Sequence, residues 1–245
     1  MRESIFRIID NAPLTETVYK MKLRGDVSDI TSSGQFVNIK LDGLYLRRPI
    51  SVCDSEDGVL TLIYKVVGKG TEQMSEMTAG EELNILTGLG NGYDLSLAGD
   101  KPLLLGGGVG VPPLYMLAKK LIAEGKRVSV VLGFNTKDEV FCEEDFKALG
   151  AEVFVTTVDG SYGIKGFVTD AMKEIDYTYF YTCGPEPMLK AIYKVSATSG
   201  QFSFEERMGC GFGACMGCSC KTITGYKRIC KDGPVLKKEE ILWAD

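Results

Sequence analysis

The chain has no histidine in 245 residues. That absence removes the side chain most used for proton transfer near neutral pH, so a Ser–His–Asp triad and a histidine general base are excluded. A His-ligated zinc and a Rieske centre are excluded with them. Basic residues are also in deficit. The 28 Lys and Arg against 33 Asp and Glu leave a net charge of −5, with no basic footprint for nucleic acid. No apolar run reaches membrane-spanning length. The longest uncharged stretch, Pro102 to Ala118, is broken by four glycines and three prolines and reads as a strand, a loop and a helix start. No targeting segment stands out, and unpaired thiols suit a reducing compartment, so a cytoplasmic protein without membrane attachment is expected. Hydrophobic residues make up 44% of the chain, enough for real cores, and the length allows more than one domain.

Cysteine, by contrast, is concentrated. Five of the eight fall between residues 210 and 230, where MGCGFGACMGCSCKT is followed by RICKDGP. Cys210, Cys215 and Cys218 have the spacing C-x4-C-x2-C, with Cys220 beside them and Cys230 remote. A close triplet plus one distant cysteine is the pattern of a plant-type [2Fe–2S] loop. The interleaved Gly209, Gly211, Gly213 and Gly217 suit a loop that must turn sharply and aim backbone N–H groups at an anionic cluster. A structural zinc site is the rival reading, because four thiolates also suit zinc, although zinc sites usually show two short C-x2–4-C knuckles. Disulfides are a third. Cys53, Cys142 and Cys183 lie among apolar residues, as ordinary buried cysteines do.

The rest of the chain divides by pattern. Up to about Ala98 the runs Thr17 to Leu23, Gln35 to Leu41 and Leu60 to Val67 are β-rich and partly alternating, which predicts a small antiparallel barrel or sandwich over residues 1–98. From Lys101, strand candidates at Pro102 to Leu105, Arg127 to Gly133, Ala151 to Thr157 and Tyr177 to Thr182 alternate with helical segments. Those begin at Pro112, Glu143, Phe167 and Glu186. That alternation predicts a Rossmann-like parallel sheet over 99–200. Residues 201–245 have little apolar material and are expected to lean on the other domains and on a metal centre for order. The fold class is therefore multi-domain, all-β followed by α/β, with a small C-terminal cluster-binding segment.

Two signals in the second part point to a dinucleotide. In PLLLGGGVGVPPL, Gly106, Gly107, Gly108 and Gly110 join a buried strand to a helix, where phosphates can approach unpaired N–H groups; a tight turn in any doubly wound sheet could use the same glycines. Cys183, Gly184 and Pro185 end another strand just before a helix, which places Cys183 toward the same crevice or simply in the core. After the second strand of this domain, residues 133–139 carry two carboxylates and only Lys137 as a cation, so NAD is expected and not NADP. In the first part, Arg47-Arg48-Pro49-Ile50-Ser51 offers a guanidinium for a pyrophosphate and a hydroxyl for a polar ring, or is an ordinary loop.

The order of these pieces resembles the ferredoxin reductase superfamily, a flavin barrel with RPxS before a nicotinamide domain with GGGxGxxP and CGP. With the cysteine segment, the whole chain is similar to the electron-transfer subunits of B-type dihydroorotate dehydrogenases. The likeness runs through RRPIS, LIYKVVGKGT, GGGVGVPPL, TVDGSYGIKG, CGPEPML, ERMGCGFGACMGC and CKDGPV. It implies FAD on Arg48, Pro49, Ile50, Ser51, Ile63, Tyr64, Lys65, Gly70 and Thr71. It also implies a [2Fe–2S] cluster on Cys210, Cys215, Cys218 and Cys230. Lys65 stands where relatives often have arginine, and Cys220 is an extra thiol; a C-x-C pair at 218 and 220 would strain the loop, which favours Cys230. The implied function is electron transfer from an FMN-containing catalytic subunit that oxidises dihydroorotate, through the cluster and FAD to NAD+, in pyrimidine biosynthesis. The implied assembly is a heterotetramer with two copies of each chain. No side chain is then needed as acid or base. The alternatives are the small subunit of a sulfide dehydrogenase or of a bifurcating ferredoxin/NAD(P) oxidoreductase, and, more distantly, a zinc-bearing adaptor.

Overall fold

The computed structural model describes residues 1–243, so the last two residues of the expected 201–245 segment lie outside the described residues. Six strands come first, with a short helix between the last two. They are β1 (Arg2–Pro13), β2 (Val18–Arg24), β3 (Phe36–Lys40), β4 (Arg48–Glu56), β5 (Val59–Lys65), α1 (Lys69–Glu76) and β6 (Glu82–Leu89). They close an antiparallel barrel in the order β1-β2-β5-β4-β3-β6. Alternate residues point inward, as the period of a strand requires: Phe6 and Ile8, Met21 and Leu23, Val37 and Ile39, Leu60, Leu62 and Tyr64, Leu83 and Ile85 fill the interior. Met74 of α1 joins that core. The Asn11 amide donates to the carbonyls of Met74 and Met77 at 2.9 and 2.8 Å, satisfying groups that the end of a helix leaves unpaired.

The chain then builds a doubly wound domain from β7 (Pro102–Gly107), α2 (Tyr115–Ala123), β8 (Ser129–Phe134), α3 (Glu143–Ala148), β9 (Glu152–Thr157), β10 (Ile164–Lys165), α4 (Val168–Met172), β11 (Tyr179–Cys183), α5 (Glu186–Val195) and β12 (Gly200–Ser203). The remainder is β13 (Ser219–Thr222), β14 (Gly225–Arg228), α6 (Ile229–Asp232) and β15 (Val235–Lys237). The large sheet runs β10-β9-β8-β7-β11-β12-β15, parallel except for β15, which returns antiparallel to β12. Leu103, Leu104 and Leu105 of β7 and Val130, Val131 and Leu132 of β8 are wholly buried, which reflects helices on both faces. Leu104, Val130 and Leu132 pack with Leu117, Leu121 and Phe146 of α2 and α3. Leu103, Leu105 and Val131 pack on the other face with Val168, Met172, Leu189 and Ile192 of α4 and α5.

Residues 204–234 leave the sheet after β12, form the cysteine loop, the β13–β14 hairpin and α6, and rejoin the sheet as β15. Their few apolar side chains, among them Ile229 and Cys230, join the α4/α5 face of the core. Barrel and sheet are tied by Lys119 of α2, whose ammonium meets Asp54 at 2.9 Å and Glu56 at 2.8 Å on β4. The linker is locked too: Gln201 and Asp94 exchange hydrogen bonds at 2.9 Å, and the Tyr181 hydroxyl donates to the Asp94 carbonyl. Among the described residues, no helix is long and apolar enough to cross a membrane.

Leu105 sits at the centre of the second face with no exposed surface. Leu105→Ala is expected to destabilise the protein by about 2–5 kcal/mol, read as a lowered midpoint in thermal unfolding; an unchanged midpoint would contradict this packing account.

Candidate functional site

The sheet order reverses between β7 and β11. From β7 the chain turns to α2 on one face, and from β11 to α5 on the other, so a crevice opens beyond the C-terminal ends of these two strands. The structure brings the two nucleotide signals together there. A Cβ at Gly110 would lie 2.3 Å from the Cys183 carbonyl oxygen and 2.6 Å from the Gly184 Cα, so only hydrogen fits where the two turns touch. Met188 of α5 covers Gly107 and Gly184 from behind. The Cys183 thiol is pushed up to about 12 by burial, against a lowering hydrogen bond with Ser203. It is a neutral packing group at physiological pH, with little nucleophilic character.

Two barrel strands pack on the turns that border this crevice. β4 packs on the turn at Pro112–Leu114, and β5 packs on the Gly108–Gly110 turn. Arg48 begins β4 and folds over the start of α1, so close that a Cβ at Gly70 would come within 2.3 Å of its Nε. The Thr71 hydroxyl accepts from the Val67 and Gly68 N–H groups at 2.9 and 3.3 Å and donates to the Gly68 carbonyl, fixing the turn into that helix. A guanidinium beside a helix N-terminus is an arrangement that receives a phosphate. Pro49, Ile50 and Ser51 follow along β4 opposite Asn38, Val37 and Phe36. Ile63 belongs to the core shared with the nucleotide domain, and Lys65 ends β5 opposite Val18. Tyr64 points into the barrel, where its hydroxyl donates to Asn11 at 3.1 Å, so a contact from residue 64 toward the crevice would come from its backbone. Arg47 stands apart from its neighbour: it donates to the Asn38 and Asn84 carbonyls at 3.2 and 3.3 Å and pairs with Glu3 at 2.8 Å, clamping β3 to β6.

The cysteine loop lies against the barrel, where Asn38 of β3 meets Cys210 and Gly211. Gly211, Gly213 and Met216 take positive φ values of 78°, 91° and 60°, which turn the chain back on itself. The thiols stand as two neighbouring pairs. The N–H groups of Ala214 and Cys215 donate to the Cys210 sulfur at 3.2 and 3.4 Å, and the Cys230 N–H donates to the Cys218 sulfur at 3.4 Å. Burial opposes the charged form of Cys210, yet the N–H groups of Phe212, Cys215 and Ala214 outweigh it and lower its pKa to about 6. Burial, reinforced by Cys218, raises Cys230 to about 12. Cys220 lies on β13 and lines a cavity of about 410 Å³ together with Gly184, Glu205, Glu206 and Trp243, and burial followed by Glu206 raises its pKa. All eight cysteines are free thiols. A [2Fe–2S] centre takes two thiolates on each of two irons, and two pairs held by inward N–H donors fit it. Among the described residues no three His, Cys, Asp or Glu side chains are grouped closely enough to hold a single metal ion.

Several residues that hold the loop carry no sequence signal. The Arg228 guanidinium donates to the Gly213 carbonyl at 2.8 Å while bound to Asp232. Asn91, in the linker after the barrel, donates to the carbonyls of Asp232 and Val235 at 3.3 and 2.8 Å and accepts from the Val235 N–H at 3.0 Å. Asn38 meets the other end of the segment at Cys210. Polar residues in turns and on strands are commonplace, and only the fold brings these beside the cysteines.

A closed barrel packed on a doubly wound nucleotide sheet is the architecture of the ferredoxin reductases, and the fused cysteine segment narrows the class to those that carry an iron–sulfur centre. Residues 205–242 match the model of the iron–sulfur cluster binding domain of dihydroorotate dehydrogenase B, and residues 104–194 match that of the oxidoreductase NAD-binding domain. The electron transfer subunit of dihydroorotate dehydrogenase B (NAD(+)) from Fusobacterium nucleatum is 45% identical, with 95% of each chain covered. The protein of the same name from a Geobacillus species is 44% identical, with 99% of each covered. Among solved structures, an NADH-dependent reduced ferredoxin-NADP oxidoreductase studied for flavin-based electron bifurcation superposes with a TM-score of 0.88 at 32% identity, over 97% of this chain and 90% of that one. The chain belongs to the family of electron transfer subunits of dihydroorotate dehydrogenase B.

Gly110→Ala is expected to force the two turns apart and raise the KM for NADH at least about tenfold, roughly 1.4 kcal/mol, in NADH–ferricyanide assays, with flavin absorption retained. An unchanged KM would show that this close approach does not shape the nucleotide crevice.

Proposed function

We propose that this chain receives electrons from an FMN-containing flavoprotein subunit that oxidises dihydroorotate and delivers them to NAD+, as one half of an assembly with two copies of each chain. The observation that supports the reading is one fold that carries a guanidinium over a helix start, a glycine turn at the switch point of a parallel sheet and a loop with paired thiols. FAD, when bound, exchanges single electrons on one side and pairs on the other, and a [2Fe–2S] cluster carries single electrons between flavins.

What the protein supplies is binding and orientation. Arg48, with the N–H groups of Gly70 and Thr71, is assigned to the FAD pyrophosphate, and Pro49, Ile50 and Ser51 with the backbone of Ile63, Tyr64 and Lys65 to its ring system. Lys65 can offer an anion only a point charge, where an arginine would make a bidentate contact. Gly106, Gly107, Gly108 and Gly110 are assigned to the dinucleotide phosphates, and Cys183, Gly184 and Pro185 to the nicotinamide side of the crevice. Cys210, Cys215, Cys218 and Cys230 are assigned to the cluster. Their arrangement as two pairs supports this set, whereas Cys220 lies on the hairpin beyond them. The reaction needs no side-chain acid or base, consistent with a chain without histidine. A reducing cytoplasm suits eight free thiols.

Replacing any one of Cys210, Cys215, Cys218 or Cys230 by Ala is expected to abolish the visible absorption and reduced-state paramagnetic signal of the cluster. Cys220→Ala is expected to keep both. Loss with Cys220→Ala and retention with Cys230→Ala would overturn the ligand assignment. For the nucleotide, Glu139 is engaged by the Asn135 backbone and side-chain amides at 3.1 and 2.8 Å, so a carboxylate stands at the tip of β8. Steady-state kinetics are expected to give a higher kcat/KM for NADH than for NADPH; the reverse order would refute NAD as the physiological nucleotide.

A further inference from the structure

On β3 the side chains alternate strictly. Val37 and Ile39 enter the barrel core, while Asn38 points outward yet is only 1% exposed, because the cysteine loop covers it. Its amide nitrogen donates to the Cys210 carbonyl at 3.4 Å, a contact across 172 residues. It also lies where a Cβ on Gly211 would sit, 2.3 Å away, so the glycine both takes positive φ and yields its side-chain space to Asn38. On the other side, Asn38 is the register partner of Pro49 in the candidate flavin strand, and its own carbonyl is held by Arg47. One residue thus touches the first cysteine of the loop with its side chain and the flavin strand with its backbone.

Stability of the barrel does not account for an asparagine here. Its Oδ1 is buried without a hydrogen-bond partner among the described residues, an arrangement that an apolar side chain would avoid. From this geometry, and resting on the function proposed above, we propose that Asn38 is a positioning residue that fixes the Cys210–Gly211 segment against the flavin strand and so sets the cluster's orientation and its spacing from FAD. Electron tunnelling falls exponentially with distance, so a small shift of this loop acts directly on the rate. The hydrogen bond to the carbonyl of a ligating cysteine also acts on the electronic surroundings of its sulfur.

The test uses the complete chain, loaded with FAD and cluster, with Asn38→Leu and Asn38→Asp. Leu keeps the branching at Cγ, is bulkier and removes the donor; Asp keeps the shape and size and replaces the donor by an acceptor facing the Cys210 carbonyl. Both variants are expected to keep full FAD content and NADH–ferricyanide activity within about twofold of the parent, since that reaction needs only the flavin and nicotinamide sites. Reduction of the cluster by NADH in stopped-flow is expected to slow by roughly tenfold or more, equivalent to about 1.4 kcal/mol. The paramagnetic line shape and visible circular dichroism of the cluster are expected to change in both variants. Parental spectra and parental cluster-reduction rates in both would overturn the proposal. Joint loss of FAD and cluster in both variants would also overturn it, by reducing Asn38 to a barrel-stability residue. If the parent chain itself binds no flavin or cluster, the functional reading fails first, and the two failures are thereby distinguished.

Discussion

The molecule depends on a backbone approach that leaves no space for a methyl group. At the switch point of the large sheet, Gly110 rests against the Cys183 carbonyl and Gly184, and barrel strand β5 packs on the turn that carries it while β4 packs on the next turn, Pro112–Leu114. Two domains and one crevice share that contact. A larger residue would have to displace backbone on both sides, because the neighbouring atoms belong to the chain itself and not to the movable end of a side chain. Lys119 with Asp54 and Glu56, and the exchange between Asp94 and Gln201, hold the domains in the orientation that the contact requires. Part of each ion pair is exposed to solvent, so these contribute orientation more than stability.

The cysteine loop follows a different physics. It has few apolar side chains, and its order comes from polar clamps at both ends, Asn38 at Cys210, Arg228 at Gly213 and Asn91 at the segment after Cys230. Within it, backbone N–H groups already point at sulfur, which favours thiolate at Cys210 before any metal arrives. The donors that stabilise the free thiolate are of the kind that tune a bound cluster, since hydrogen bonds to sulfur act on its potential.

Much of this was legible in the sequence. Period-two alternation gave β2, β3 and β5, the alternation of buried runs with helical segments gave the parallel sheet, and glycine placement located the crevice. The C-x4-C-x2-C spacing located the cysteine loop because it is local. Other features were not legible for a physical reason. Tyr64 reads as a residue near a ligand from its motif, but the strand's phase turns its ring into the barrel. Asn38, Asn91 and Arg228 act across gaps that only the fold closes, and an asparagine on a strand has no spacing rule to betray it. The return of the chain as β15 was equally hidden, since Val235–Lys237 is too short to register as a strand by pattern.

That return gives the cysteine segment a character that its place near the C-terminus would not suggest. Because β12 and β15 pair side by side, residues 204–234 form a closed excursion from the sheet. The entropy of closing a flexible stretch grows only with the logarithm of its length, so lengthening it from roughly 30 residues to twice that with unordered residues would add only about 0.6 kcal/mol of closure cost. The sheet therefore works as a socket of fixed width: its two strands define the attachment points, and segments of quite different length and ligand chemistry could be seated between them without rebuilding the nucleotide domain.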